Sequence, residues 1–255
     1  LPLDAEVVFL DTPPYDSAVN SQNAAAIFQQ QDVGAVIVLG GDGTHRDVAK
    51  GWRTAPVVAV STGTNNVFPR QVEATIAGQA AGLVASQKPP IHQVADQAKI
   101  IDVELDGGAT EQALVDLALV DDSFTGSRAV WNGQQLLEMV AAIAERATVG
   151  LSSIASRVAP TSRRQPGGVH VIFGDGERFR VPIAPGLFSE VDIASWRRLQ
   201  ANDSVEISGP GVLSFDGERD VVLASGRSAR VTVSHDGLWV IDIEKAMSLD
   251  CGEVR

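Results

Sequence analysis

The stretch VLGGDGTHRDVAK, residues 38–50, decides how the chain is read. An aliphatic run stops at Gly40 and Gly41, Asp42 is set between glycines, and a helical pattern follows. Glycines at a strand end permit positive φ and let a ligand come close to the backbone. Thr44 and Asp47 stand at capping-box spacing, which predicts a helix that starts at His45 with Thr44 as its cap. Free amides at such a start form an anion site. A carboxylate beside bound phosphate has two uses: to hold a bridging cation, or to accept a proton from an attacking hydroxyl. The plainer alternative is one more Asp-Gly turn. Against it, Asp42-Gly43 joins a strand to a helix and follows two further glycines. Neither G-x-x-x-x-G-K-[ST] nor G-x-G-x-x-G is present, so a nucleotide would be held by a different glycine-rich device.

Working outward, the first ninety residues alternate between strand and helix. AEVVFL (5–10) is a short apolar run, and residues 17–30 fit a surface helix. GAVIVL (34–39) and PVVAV (56–60) are continuously apolar, as strands covered on both faces are. Residues 44–53 set Val48, Ala49 and Trp52 on one helical face. Residues 71–86 place Ile76, Ala80, Leu83 and Val84 at helical spacing. This order predicts a parallel sheet with right-handed crossovers. Ligands in such sheets sit beyond the carboxyl ends of the strands.

The second of those ends, STGTNN at 61–66, offers Thr62, Gly63, Thr64, Asn65 and Asn66 toward the same crevice as Gly40, Gly41, Gly43 and Thr44. A loop that merely caps itself through Ser, Thr and Asn is the alternative. Arg46, Lys50, Arg53 and Arg70 follow the two loops. Arg46 and Arg70 are candidates to face phosphate, whereas Lys50 and Arg53 suit a solvated helix face. His45 either touches phosphate or is solvated.

The pattern changes at Lys88-Pro89-Pro90. From about residue 98 β-branched alternation dominates, broken at Asp106-Gly107, Asp175-Gly176, Asp216-Gly217 and Asp236-Gly237, each a hairpin signature. Residues 133–147 set Leu136, Leu137, Val140 and Ala144 on one face, which predicts a helix capped by Asn132. The expected fold is therefore α/β plus all-β. An α/β nucleotide-phosphate-binding domain spans 1–92, and an antiparallel β-rich domain spans 93–243 with a helical insert at about 132–158. No internal repeat or low-complexity tract interrupts them.

Composition narrows the function classes. The chain has 255 residues and is 44% hydrophobic, which suits a globular protein. No segment nears the ~20 apolar residues of a membrane span, and the start shows no leader pattern. The single cysteine, Cys251, excludes an internal disulfide framework. A net charge of −12 argues against a nucleic-acid or anionic-membrane surface. The cytoplasm is the expected compartment. Arg157, Arg163 and Arg164 flank a Pro/Gly-rich loop at 160–168 and read as solvated charges or as an anion clamp.

GGDGT (40–44), TGTNNVFPR (62–70) and LSFDGERD (213–220) together resemble the superfamily of NAD kinases, diacylglycerol kinases and sphingosine-type kinases. STGTNNVFP, RAVW (128–131), PIAPGL (182–187) and ASWRRL (194–199) are similar to the kinase-like proteins associated with acetoin catabolism. The resemblance covers nearly the whole chain. It implies a Rossmann-like domain, a β-sandwich-like domain and a crevice between them, with LWVIDI (238–243) leading the tail, about 244–255, back to the first domain. It implies Asp42 as the group activating the acceptor hydroxyl, the two glycine loops as the ATP site, and Asp216 and Glu218 in base or metal roles. Asp216 also suits a plain hairpin turn.

Two departures stand out. The family's Asn-Glu pair for the acceptor nucleotide is replaced by Asp121-Asp122. The family also carries a first strand and glycine-rich loop ahead of the point where this sequence begins. The resemblance implies a Mg²⁺- and ATP-dependent kinase with NAD the leading hydroxyl acceptor, working as a homo-oligomer. A non-catalytic nucleotide sensor and a lipid or small-diol kinase are the competing readings.

Overall fold

A computed structural model describes residues 6–13, 18–121 and 133–250. Three sheets organise them. The first is mixed, built on the apolar run at 56–60. Helix α1 (Ala18–Gln30) leads to strand β1 (Val36–Gly40), helix α2 (Asp42–Gly51) and strand β2 (Pro56–Ser61), with β1 and β2 parallel. Helix α3 (Ala74–Gln87) follows, capped by Glu73, whose carboxylate accepts the amides of Thr75 and Ile76 at 2.9 and 3.1 Å. It ends on Lys88 in the left-handed region, just before two prolines that cannot continue a helix.

The expectation of two covered faces holds for β2 and fails for β1. Val36 and Val38 are buried, but Ile37 and Leu39 point outward, Leu39 64% exposed. Beta1 is an edge strand of the sheet and alternates as a one-sided strand does. The described part of the run at 5–10 forms no strand, and Phe9 is exposed. Ile76 lies on the outer side of α3, whose buried face is Ala77, Ala80, Ala81 and Val84.

Beyond α3 the chain makes a short helix α4 (Ile91–Val94) and strand β3 (Ala95–Gln97). It then enters two antiparallel sheets. Strands β4 (Ile100–Leu105), β5 (Thr110–Ala113), β6 (Asp116–Val120) and β7 (Leu136–Ala141) precede helix α5 (Leu151–Val158). The long strands β8 (Gly168–Ala184) and β9 (Leu187–Leu199) follow, then β10 (Ser204–Ser208), β11 (Gly211–Phe215), β12 (Glu218–Leu223) and β13 (Ser228–Ser234). Their orders are β10-β13-β4-β5 and β12-β11-β6-β7-β8-β9. The two sheets share one core, with Ile101, Val103 and Val231 from one facing Leu117, Leu213 and Phe215 from the other.

The helix expected over 133–147 is absent. A 3-10 turn at Gly133–Gln135 passes into β7, paired on both sides with β6 and β8. Residues 136–141 satisfy a helical period and a ladder equally, and two waiting neighbours decide for the ladder. Asn132, the expected cap, lies outside the described residues, as does RAVW at 128–131. The helix in this region is α5, later in the chain.

Two of the four Asp-Gly pairs turn hairpins: Asp106-Gly107 between β4 and β5, and Asp216-Gly217 between β11 and β12. Asp175-Gly176 instead lies in a bulge of β8, where Phe173 and Glu177 both oppose Ile193. Asp236-Gly237 links β13 to strand β14 (Trp239–Ile241), which belongs to the mixed sheet. There β14 runs parallel to β2 and antiparallel to β3, and helix α6 (Ile243–Met247) packs on α3. Among the described residues no helix is long and apolar enough to cross a membrane.

Candidate active site

Helix α2 starts at Asp42, not at His45. Gly41 is the capping residue and makes no side-chain cap bond. Thr44 sits inside the first turn against the strand end, where a β-carbon on Gly40 would come 2.5 Å from it. This tight contact excludes the cap role expected of Thr44.

Asp42 is buried, the residue 8% exposed, and its carboxylate holds the second loop. It accepts the amide of Val67 at 3.1 Å to both oxygens and the amide of Phe68 at 2.8 Å. The carbonyls of the same two residues accept both Nη atoms of Arg163 at 2.9 Å. Glu145 in turn holds Arg163 at 3.2 Å. The Val67–Phe68 backbone is thus gripped by an acid on one side and a guanidinium on the other. Arg163 is neither a solvated loop charge nor an anion clamp.

The two glycine loops pack directly on each other. Thr62 donates its amide to the Gly40 carbonyl at 3.3 Å, and a β-carbon on Gly41 would lie 2.8 Å from Asn66 Oδ1. Asn66 donates to the Ser61 hydroxyl at 2.8 Å. Thr62, Gly63, Thr64 and Asn65 are exposed and free to meet a ligand, with Gly150 at the start of α5 facing Asn65.

The β11–β12 turn brings a second set of carboxylates to this junction. Asp216 takes positive φ at the turn, and its Oδ1 accepts the amides of Leu114 and Val115 at 2.9 and 2.8 Å. Arg46 lies 3.5 Å from Asp216 and 3.4 Å from Glu218, and donates to the Phe215 carbonyl at 2.6 Å. Glu218 is half-exposed, with Oε2 3.6 Å from where a β-carbon on Gly43 would stand. Asp116, at the foot of β6, completes a buried trio with Asp42 and Asp216.

Burial dominates the electrostatics. It pushes Asp42 up to about 7, aided by the neighbouring charge of Asp216 and opposed by the Phe68 and Val67 amides and Arg163. Burial also raises Asp216, against Arg46 and its amides, and raises Asp116 well above the usual carboxylate range. Among the described residues Asp116 Oδ1 and Asp216 Oδ2 have no hydrogen-bond partner. Three close carboxylates in low dielectric do not all carry full charge at neutral pH.

Several expected roles move. Arg46 does not face phosphate, because its guanidinium is spent on Phe215, Asp216 and Glu218. His45 is fully buried, its Nδ1 2.8 Å from the Gly41 carbonyl and its ring 5.5 Å from that of Phe68. Burial lowers it to about 4, so the ring is neutral and Nδ1–H donates to that carbonyl. Arg70 is exposed and points toward Glu145 at 3.9 Å. Lys50 and Arg53 are not on a solvated face: Lys50 pairs with Glu111, and Arg53 makes a bidentate pair with Asp102 at 2.7 and 2.8 Å. Asp121 is exposed at the end of β6, and Asp122 lies outside the described residues.

Among the described residues no group of three or more His, Cys, Asp or Glu side chains is arranged to hold a metal ion. Asp216 is faced by Arg46 and sealed from solvent, so these residues do not fit it as the ligand of a resident Mg²⁺. The sequence reading missed Asp116, Glu145 and the clamp role of Arg163. Asp116 left a trace, as one carboxylate opening the apolar run DLALV, whereas the 18-residue step from Glu145 to Arg163 carries no local pattern.

The ATP-NAD kinase N-terminal domain family matches residues 9–88, and the acetoin catabolism protein X C-terminal domain family matches residues 99–236. The acetoin catabolism protein X of Cupriavidus necator is 35% identical over 250 residues, covering 94% of this chain and 70% of that protein. A yeast NADH kinase solved in complex with NADH shares the fold, with a TM-score of 0.54 at 14% identity. That match covers 85% of this chain, which spans 64% of the kinase chain. The NAD-kinase-type fold and the match across both halves place this chain in the acetoin catabolism protein X family.

Proposed function

We propose that the protein is an ATP-dependent phosphotransferase of the NAD kinase type, with NAD the leading acceptor. One observation carries this reading: Asp42 is fixed where both glycine loops meet the β11–β12 turn, and burial poises it near neutrality. A general base works best with a pKa near the working pH. The exposed amides and side chains of Thr62, Gly63, Thr64 and Asn65 would receive the phosphates of ATP-Mg, the donor substrate. The acceptor hydroxyl oxygen attacks the γ-phosphorus, the bond to the β-phosphate oxygen breaks, and ADP leaves. The hydroxyl proton passes to Asp42. Glu218, across from Gly43, orients the acceptor, while Asp216 and Arg46 fix the turn that carries it.

The competing sensor reading rests on a different observation. Arg46 fills the space beside Asp216 and Glu218, and Asp121-Asp122 stands where kinases of the family carry Asn-Glu. Labelled ATP offered with NAD, NADH, diols and lipids separates the two. Transfer of the γ-phosphoryl group to NAD supports the kinase, and transfer to another hydroxyl corrects the acceptor. ATP binding with no transfer to any of them establishes the sensor.

A further inference from the structure

A cavity of about 630 Å³ lies behind the clamped loop, on the far side of Val67–Phe68 from Asp42. It forms where β2 loses a neighbour. Beta14 pairs with β2 at Pro56 and Val57, Arg70 bridges to Val60, and the hollow opens beside Val58 and Ala59 between them. Its floor is apolar, from Val58, Val72, Ile143 and Ile241.

The charges in its walls are unequally matched. Asp96 is paired with Arg164 at 2.7 Å and with Lys245 at 3.0 Å. Asp242 holds Arg164 at 2.9 Å, and Glu145 holds Arg163. Lys99 stands apart. It is 1% exposed, and among the described residues its ammonium donates only to the Gly167 carbonyl, at 3.0 Å. No carboxylate lies within ion-pair distance of it among the described residues. An ammonium has three donors, and a buried cation without a counter-ion is costly.

We infer that this cavity is a binding site for a small amphipathic anion, its carboxylate on Lys99 and its short hydrocarbon body on the Val58–Val72–Ile143 floor. Burial lowers the lysine to about 7, with Glu145 opposing and Arg163 adding to the shift, which is the state of a cation lacking its partner. The ligand would also touch Phe68 and Arg163, which line the cavity and hold the loop on Asp42. The site therefore lies behind the nucleotide loop, and binding there needs no ATP.

Calorimetric titration of the protein with sodium hexanoate, and separately with inorganic phosphate, tests this. Saturable hexanoate binding is expected, weakened at least tenfold in Lys99→Met and in Val72→Phe, which fills the floor. Crystals soaked in 6-bromohexanoate should show bromine inside the cavity. The inference is overturned by no saturable binding to the wild type, by affinity unchanged in both variants, or by bromine elsewhere. Phosphate binding as tightly as hexanoate overturns the amphipathic class. Should Lys99→Met fail to fold, the Val72→Phe affinity and the bromine position decide alone.

Discussion

Asp42-Gly43 and Asp216-Gly217 are the same dipeptide in two regions of the molecule, and they fold differently. Asp42 enters an α-helix at a parallel strand end, whereas Asp216 sits at φ 52° in a tight antiparallel turn. Both carboxylates nevertheless accept backbone amides from a distant segment, Val67 and Phe68 in one case and Leu114, Val115 and Asp116 in the other. The difference lies in what else reaches them. Asp216 is sealed and faced by Arg46, while Asp42 keeps a little exposure and, among the described residues, has no cation within ion-pair distance. The local fold does not assign the role; the neighbours do. Asp216 is the more fully anchored of the two.

The strongest way to break the comparison is Asp216→Ala. It strips the amides of Leu114, Val115 and Asp116 of their acceptor and leaves Arg46 with reduced compensation. A loss of about 3–5 kcal/mol is expected from removing one partner of a buried pair, read by urea denaturation. A loss below about 1 kcal/mol would deny the anchor role.

Asp42→Asn sharpens the contrast. The amide oxygen still accepts Val67 and Phe68, so the expected stability cost is only about 1 kcal/mol. Turnover should fall about 100-fold or more. Glu218→Gln, at a half-exposed position, should raise the acceptor KM with a smaller fall in kcat, measured by steady-state kinetics.

The pH dependence of stability separates Asp42 from the rest. Its folded pKa is raised from 3.8 to about 7, so the native state binds the extra proton between those values. Its contribution to stability is fully present below about pH 4 and is lost as pH rises through 7. Asp116 and Asp216 act in the same direction, while His45, lowered from 6.5 to about 4, acts in the opposite one. Denaturation of wild type and Asp42→Asn from pH 4 to 8 isolates the Asp42 part, which the variant should lack.

The smallest effect is expected at Gly41→Ala. Its φ of −97° suits alanine, and the new methyl displaces only the Asn66 side chain. Stability should change by under about 1 kcal/mol, because only the Asn66–Ser61 hydrogen bond is put at risk. ATP affinity should drop through the displaced loop, which calorimetry reads.

Much of this was legible in the sequence, for identifiable reasons. Continuous apolarity in PVVAV and glycine punctuation after VIVL mark the strand ends. Asp106-Gly107 and Asp216-Gly217 mark real hairpins. The rest depended on neighbours that no local window contains. LLEMVA reads as helix until two flanking strands claim it, and GAVIVL reads as covered until the sheet ends beside it. At the site, the two loops were visible as motifs. Their clamp was not, because Asp42, Arg163 and Glu145 meet only through the fold. Arg46 and His45 show the same limit, since a helix start with basic residues looks solvated until the β11–β12 turn and Phe68 close over it.

The measurement that bears most directly on the central claim is the pH profile of kcat/KM for phosphoryl transfer, in wild type and Asp42→Asn. Here the wild type is predicted to lose activity below about pH 7 as Asp42 takes up its proton. The variant is predicted to run lower by about 100-fold or more, without that acid limb. Equal turnover in the two proteins, with the same acid limb, would remove Asp42 from the chemistry and leave it only as the clasp of the second loop.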